Sequence, residues 1–108
     1  MRIAFGTDER TAVTDEMVAT LERTGHEVVL RLEDEPWPDV GRRVGEAVSG
    51  GDAERGVVCC WTGTGVSIAA NKVAGVRAAL CTDAAEVLDA FLTTDPDEGE
   101  AQTIARVG

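Results

Sequence analysis

Residues 56–82 read GVVCCWTGTGVSIAANKVAGVRAALCT, and this stretch decides the fold. The apolar run 56–61 predicts a buried strand, and the glycine-rich segment 62–65 predicts the turn that follows it. A helix is predicted over 66–72, and a second apolar strand over 76–82. A strand, a helix and another strand in this order are typical of a parallel sheet that helices cover on both faces.

The residues on either side continue this alternation of strands and helices. Thr14 is the predicted N-cap of the first helix, and Pro38 suits the first turn of the second. The remaining elements are predicted as strands over 2–6 and 27–32 and helices over 15–24, 38–48 and 84–93, before an acidic stretch over 94–100. The sequence therefore predicts one domain over 1–108, an α/β fold built as a three-layer α/β/α sandwich. Its sheet is Rossmann-like and mainly parallel, with four identifiable strands.

Composition excludes several classes of function. The chain of 108 residues has twenty acidic and ten basic residues and therefore a net charge of −10. This negative charge repels a nucleic-acid backbone. No apolar run approaches the roughly 18 residues that a membrane span needs, and we expect a cytoplasmic protein. Cys59 and Cys60 are adjacent on a strand and should face opposite layers, so they suit neither a disulfide nor zinc. Neither a metal nor another cofactor is expected.

The glycine turn lies where a parallel sheet binds ligands, beyond the carboxyl end of a strand. Backbone N–H groups there can face an anion at the start of the next helix. The turn is not a P-loop, because the Gly-Lys-Ser/Thr ending is missing. A dinucleotide site is a second interpretation, since Asp83 lies 18 residues beyond Gly65, but Ile68 stands where a third glycine is needed. A turn that binds nothing is the third.

Several segments carry a family resemblance. They are Cys60-Trp-Thr-Gly-Thr-Gly65, Ser67-Ile-Ala-Ala-Asn-Lys72, Ile3-Ala-Phe-Gly-Thr-Asp8 and Gly25-His-Glu-Val28. Together they resemble the type B ribose-5-phosphate isomerases and the related galactose-6-phosphate isomerase subunits. The resemblance implies a five-stranded sheet and an aldose–ketose isomerase in carbohydrate metabolism. The substrate would be a sugar or sugar phosphate, converted through an enediolate by a homodimer or homotetramer.

The resemblance also implies roles for individual residues. Cys60 matches the base that moves the proton, while Val66 stands where other members carry a Glu base. The Thr62 hydroxyl would assist proton transfer. Asp8 would hold sugar hydroxyls, although a turn residue or helix cap is the alternative interpretation. The other substrate-binding residues implied are Gly63, Thr64, Gly65 and Ser67, at the start of the helix.

Four features depart from the family. Glu9 replaces a His. Trp61 replaces the first glycine of the turn, where it would either narrow the pocket or pack against a partner subunit. Residues 98–106 replace a basic phosphate-binding segment, in which only Arg106 is a possible survivor. The fourth difference is a missing segment. After the position of Asp83 the family has a further helix and strand, a unit of roughly thirty residues, which includes the His that opens the sugar ring.

Two explanations fit the missing helix and strand. We expect the sequence to omit a segment of a longer protein, because losing an interior strand would expose an apolar sheet edge. An intact mass well above 11.4 kDa would show this. Otherwise a shortened variant has lost ring opening, and a non-catalytic sugar-phosphate-binding protein or inactive subunit becomes the alternative function.

Overall fold

A computed structural model describes residues 1–81 and 101–107, with the backbone alone described at 81 and 101–107. These residues form three helices and five strands. In chain order they are β1 (Arg2–Thr7), α1 (Ala12–Arg23), β2 (Glu27–Leu32), α2 (Trp37–Ser49), β3 (Arg55–Cys60), α3 (Thr64–Asn71), β4 (Val76–Cys81) and β5 (Ala101–Val107). The helix predicted over 84–93 and the acidic stretch over 94–100 lie outside the described residues.

The strands form one sheet in the order β2-β1-β3-β5-β4, and every neighbouring pair is parallel. Helix α1 packs on one face of the sheet, whereas α2 and α3 pack on the other. The predicted three-layer sandwich and the five strands implied by the family resemblance are therefore confirmed. No helix within the described ranges combines the length and the apolar character that crossing a bilayer requires.

Strand β5 corrects the sequence analysis, which did not identify a strand over 101–107. It lies between β3 and β4, and its Ile104 pairs with Val57 on one side and Ala79 on the other. Arg106, which the family resemblance left as the one possible survivor of a replaced phosphate-binding segment, is a register position of this strand, paired with Cys59 and Cys81. A shortened chain was expected to lack an interior strand of the sheet. The seven residues of β5 occupy that interior place.

Helix α1 begins three residues earlier than predicted, and its cap is Thr11 rather than Thr14. The Thr14 N–H donates to Thr11 Oγ1 at 3.2 Å, and the Thr11 N–H donates to Thr14 Oγ1 at 2.8 Å. This reciprocal capping box satisfies two backbone donors, which explains the earlier start. Gly25, with φ of +89°, follows the end of the helix, as predicted. The other boundaries agree with prediction to within two residues.

Two apolar clusters, one on each face of the sheet, form the core. The face toward α1 contains Ile3, Phe5, Met17, Val18, Leu21, Val57 and Cys59. The other face contains Ala4, Leu32, Val40, Val44, Ala47, Val48, Ala53, Val58, Cys60 and Val66. Neighbouring residues of a strand alternate between the clusters, so the prediction that Cys59 and Cys60 face opposite layers is confirmed.

Close contact between α2 and α3 fixes where α3 begins. A methyl group on Gly41 would lie 2.5 Å from Ala69 Cβ and 2.8 Å from the Val66 carbonyl oxygen, so only glycine fits there. Gly45 is similarly tight against Val73, where a methyl group would lie 2.9 Å from Cγ2. These glycines allow the two helices to approach closely, so the position of α3 depends on this contact.

Candidate active site

A cleft opens at the carboxyl end of the sheet, where parallel strands commonly bind ligands. It encloses about 310 Å³ of free space including its open mouth. Three segments line it, namely the end of β1, the start of α1 and the end of β3. The lining residues are Thr7, Asp8, Glu9, Thr11, Thr14, Cys59, Cys60 and Trp61.

The loop after β1 is held by local hydrogen bonds. Thr7 Oγ1 donates to the Glu9 carbonyl at 2.8 Å and accepts from the Glu9 N–H at 3.3 Å. The Asp8 N–H donates to the Cys59 carbonyl at 3.2 Å, which connects this loop to the end of β3. Asp8 and Glu9 therefore stand at the wall of the cleft on a defined backbone.

The environment of Asp8 disfavours its charged form. Partial burial raises the pKa of Asp8 above the ordinary value of 3.8, and the neighbouring Glu9 charge adds to this effect. Hydrogen bonds from the backbone N–H groups of Asp8 and Glu9 act in the opposite direction. A partly buried carboxyl group beside a second one is suited to hydroxyl groups and is unfavourable for a phosphate.

Cys60 connects the cleft to the glycine turn. Its side chain is 6% exposed, and the Gly63 N–H donates to its sulfur at 3.2 Å. Gly63 is the N-cap of α3 and has a φ of +75°, a left-handed conformation that favours glycine. This backbone donor holds the Cys60 sulfur at the start of α3, beside the cleft.

The predicted site residues fall into two groups. Asp8 and Cys60 line the same cleft. Thr62, Gly63, Thr64, Gly65 and Ser67 are not among the described lining residues; they form the adjoining turn and the start of α3.

Several backbone N–H groups of that turn already donate hydrogen bonds within the chain. The Gly63 N–H is used by Cys60, as described above. The Thr64 N–H donates to Thr62 Oγ1 at 3.2 Å, and the Ser67 N–H donates to the Gly63 carbonyl at 3.1 Å as a helical bond. The turn therefore supports Cys60 in this structure.

Sequence reasoning missed part of the cleft. Thr11 and Thr14 line it, and their spacing directly after the acidic loop was the available signal. Trp61, for which the sequence left open a place in the pocket or a contact with a partner subunit, is 72% exposed and lines the cleft.

Charge in and around the cleft is predominantly negative. Among its described lining residues there is no Arg or Lys. Arg10, which follows Glu9, forms ion pairs with Asp15 at 2.9 Å and Glu33 at 3.3 Å. Arg31 pairs with the same two carboxylates. Among the described residues, both arginines near the cleft are thus paired with acids.

Metal binding and dinucleotide binding are the two other kinds of chemistry that the sequence raised for this site. Over the described part of the chain, no three His, Cys, Asp or Glu side chains are grouped so that they would hold a metal ion. For the dinucleotide interpretation, the acidic partner Asp83 lies outside the described residues.

Comparison with known proteins shows which sequences the chain resembles. The model of the ribose/galactose isomerase family matches residues 3–95. Ribose-5-phosphate isomerase B of Escherichia coli is 40% identical over 87 residues, covering 76% of this chain and 58% of that protein. A galactose-6-phosphate isomerase subunit of Clostridium acetobutylicum is 49% identical over 47 residues, 44% of this chain and 27% of the relative. The chain therefore spans little more than half the length of the Escherichia coli relative.

Solved structures give the same result. The type B ribose 5-phosphate isomerase of Trypanosoma cruzi superposes with a TM-score of 0.77 at 34% identity, over 100% of this chain and 73% of that one. Ribose-5-phosphate isomerase B of Clostridium thermocellum superposes with a TM-score of 0.74 at 35% identity, over 97% and 71%. Since the family model matches most of the sequence and the fold agrees, the chain belongs to the ribose/galactose isomerase family.

Proposed function

We propose that the protein is an aldose–ketose isomerase that acts on a sugar or sugar phosphate in carbohydrate metabolism. The observation that carries this proposal is the position of Cys60. Its sulfur accepts a backbone N–H at the start of α3, and the residue lines the same cleft as Asp8. A nucleophilic or basic sulfur beside a hydroxyl-binding carboxyl group is what this isomerisation needs.

The reaction moves one proton between neighbouring carbons. Cys60, as thiolate, removes the proton from C2 of the open-chain aldose, while the C1 carbonyl oxygen gains a proton. The resulting enediol or enediolate then receives the proton from the Cys60 thiol at C1. The C2 hydroxyl loses its proton as the C2 carbonyl forms, so no oxidant or reductant is consumed.

Other residues would bind and position the substrate. Asp8 accepts hydrogen bonds from sugar hydroxyls, and the Thr62 hydroxyl relays a proton between the substrate oxygens. The start of α3, with Gly63, Thr64, Gly65 and Ser67, supplies the positive end of a helix dipole. The Gly63 N–H holds the Cys60 sulfur, and the positive end of α3 would stabilise the charge that develops on the enediolate.

Deuterium uptake from solvent tests this function. A panel of aldoses and ketoses, with and without phosphate, is incubated with the protein in D₂O and followed by NMR. We expect uptake at C1 of the ketose when an aldose is supplied and at C2 of the aldose when a ketose is supplied, because the base exchanges its proton with solvent during turnover. Saturable sugar binding without exchange for any member of the panel would contradict the isomerase and favour the alternative, a non-catalytic sugar-phosphate-binding protein or inactive subunit.

We also infer a setting and an assembly. The family resemblance implies a homodimer or homotetramer, and we place the protein in the cytoplasm. Light scattering on the purified protein measures the assembly, with a monomer at all concentrations as the result that would contradict it.

A further inference from the structure

Trp61 is the most exposed large apolar side chain among the described residues. It is 72% exposed, follows Cys60 directly and lines the cleft. A large indole in water at the mouth of a cleft usually has an interaction to make, because exposing it is unfavourable.

The second tryptophan shows a different arrangement. Trp37 is 44% exposed, and its ring packs against the glycine turn: a methyl group on Gly65 would lie 2.9 Å from Trp37 Cδ2. Trp37 thus has a structural contact at the start of α3. Because it is not among the described residues that line the cleft, it serves as an internal reference for Trp61.

The cleft combines an apolar ring with hydrogen-bond acceptors. Asp8 and Glu9 supply carboxylate oxygens, and Thr11 adds a hydroxyl group. A hydroxylated carbon chain has the complementary chemistry, since its O–H groups donate to carboxylates and its C–H groups pack on an aromatic face. A phosphate group placed beside Asp8 and Glu9 would instead meet like charge.

We propose that Trp61 is a specificity-determining residue whose indole packs against the C–H face of the uncharged, hydroxylated part of the substrate. This inference rests on the proposed function and deepens it. It states that the portion of the sugar next to Cys60 is recognised as a neutral polyol, through an aromatic face and acidic acceptors.

The experiment uses the fact that the chain has two tryptophans. Trp37→Phe leaves Trp61 as the single fluorophore, and Trp61→Phe leaves Trp37. Each variant is titrated with ribitol, an uncharged five-carbon polyol, and separately with ribitol 5-phosphate. We expect ribitol to change the Trp61 emission with saturation and to change the Trp37 emission less, because Trp61 lines the cleft whereas Trp37 contacts only the adjoining turn.

Kinetics on the sugar that shows exchange provide a second readout. Trp61→Ala should raise KM about two- to tenfold with little change in kcat, since stacking on an aromatic face contributes about 0.5–1.5 kcal/mol. Trp61→Phe keeps an aromatic face and should retain most of the affinity. Circular dichroism should match wild type for both, because a side chain this exposed contributes little to the core.

The possible outcomes separate this inference from the proposed function. The inference would be overturned, and the proposed function kept, if the protein isomerises a sugar but two effects are missing. These are a change of Trp61 emission with ribitol and a rise of KM in Trp61→Ala. Saturable emission changes with ribitol but no deuterium uptake from any sugar would support the inference and contradict the isomerase. Trp61 emission that depends on protein concentration and not on ribitol would mark a contact between copies of the chain, and would also overturn the inference.

Discussion

Cys59 and Cys60 are neighbours in β3 with different surroundings. Cys59 Sγ lies 3.8 Å from Met17 Sδ in the cluster under α1, while Cys60 Sγ accepts the Gly63 N–H. Cys60→Ser should therefore reduce deuterium exchange by about 10²–10⁴-fold, because a serine hydroxyl is too weak a base near neutral pH. The measurement is the NMR exchange rate on the active sugar.

Cys59→Ser is the matched control for this substitution. It should cost roughly 1–3 kcal/mol in the free energy of unfolding, because it places a hydroxyl group in an apolar cluster. The folded protein should keep its exchange rate. Equal rates in wild type and Cys60→Ser would remove Cys60 from the mechanism.

Asp8 makes the stability of the protein depend on pH. Its pKa is raised in the folded state, so folding binds its proton more tightly than the unfolded chain does. The stabilising contribution is present below the ordinary pKa of 3.8 and is lost as pH rises through the raised value. The side chain in Asp8→Asn does not titrate, so the variant does not lose this contribution. The free energy of unfolding of Asp8→Asn minus that of wild type should therefore increase as pH rises from 3.8 to the raised pKa, and should be constant above it. Urea denaturation from pH 3 to pH 8 measures this difference, and parallel curves would contradict it.

At the scale of elements, the contact between α2 and α3 is the feature most sensitive to added volume. Gly41→Ala would place a methyl group 2.5 Å from Ala69 Cβ, which forces α3 away from α2. We expect a loss of about 1–3 kcal/mol in unfolding free energy. Sugar affinity should fall as well, since the start of α3 moves with the helix.

The neighbouring Arg42→Ala provides the control for Gly41→Ala. Arg42 is exposed and pairs with Asp39 and Glu46 on the surface of α2, so its loss should change stability by less than about 0.5 kcal/mol. A Gly41→Ala protein as stable as Arg42→Ala would show that the helices separate without cost.

The elements that the sequence predicted well have strong local signals. Strand β2 has the predicted bounds, and α2 buries Val40, Val44 and Val48, which recur every four residues. The start of α1 was placed wrongly because two threonines compete as caps, and only the reciprocal bonds between Thr11 and Thr14 decide between them. Local sequence does not carry that information.

Strand β5 was missed for a different reason. Its sequence, AQTIARV, has few large apolar residues, and pairing with β3 and β4 on both sides is a property of the sheet. In the cleft, Asp8 and Cys60 were identified from motifs. For Trp61 the sequence left two places open, in the pocket or against a partner subunit, because its exposure and its place in the lining depend on the arrangement of two loops in space.

At the scale of the whole molecule, the net charge of −10 acts on any anionic substrate. At low ionic strength this field slows the encounter with a phosphorylated sugar, and salt screens it. Raising the salt concentration from about 10 mM to about 150 mM should therefore increase kcat/KM for a phosphorylated sugar by roughly two- to tenfold. An unphosphorylated sugar is the control and should show no such increase. Rates that fall with salt for the phosphorylated sugar would indicate a cationic site that the described residues do not show.

The position of β5 also determines the order in which the sheet can be completed during synthesis. Strands β1, β2 and β3 can pair once residue 60 has left the ribosome, but β4 joins the described sheet only through β5. At 5–20 residues per second, residue 107 follows residue 81 after roughly one to five seconds. For that interval β3 has an unpaired edge and β4 has no partner, which is the state most open to aggregation. The newly made chain is therefore more dependent on chaperones than the finished fold.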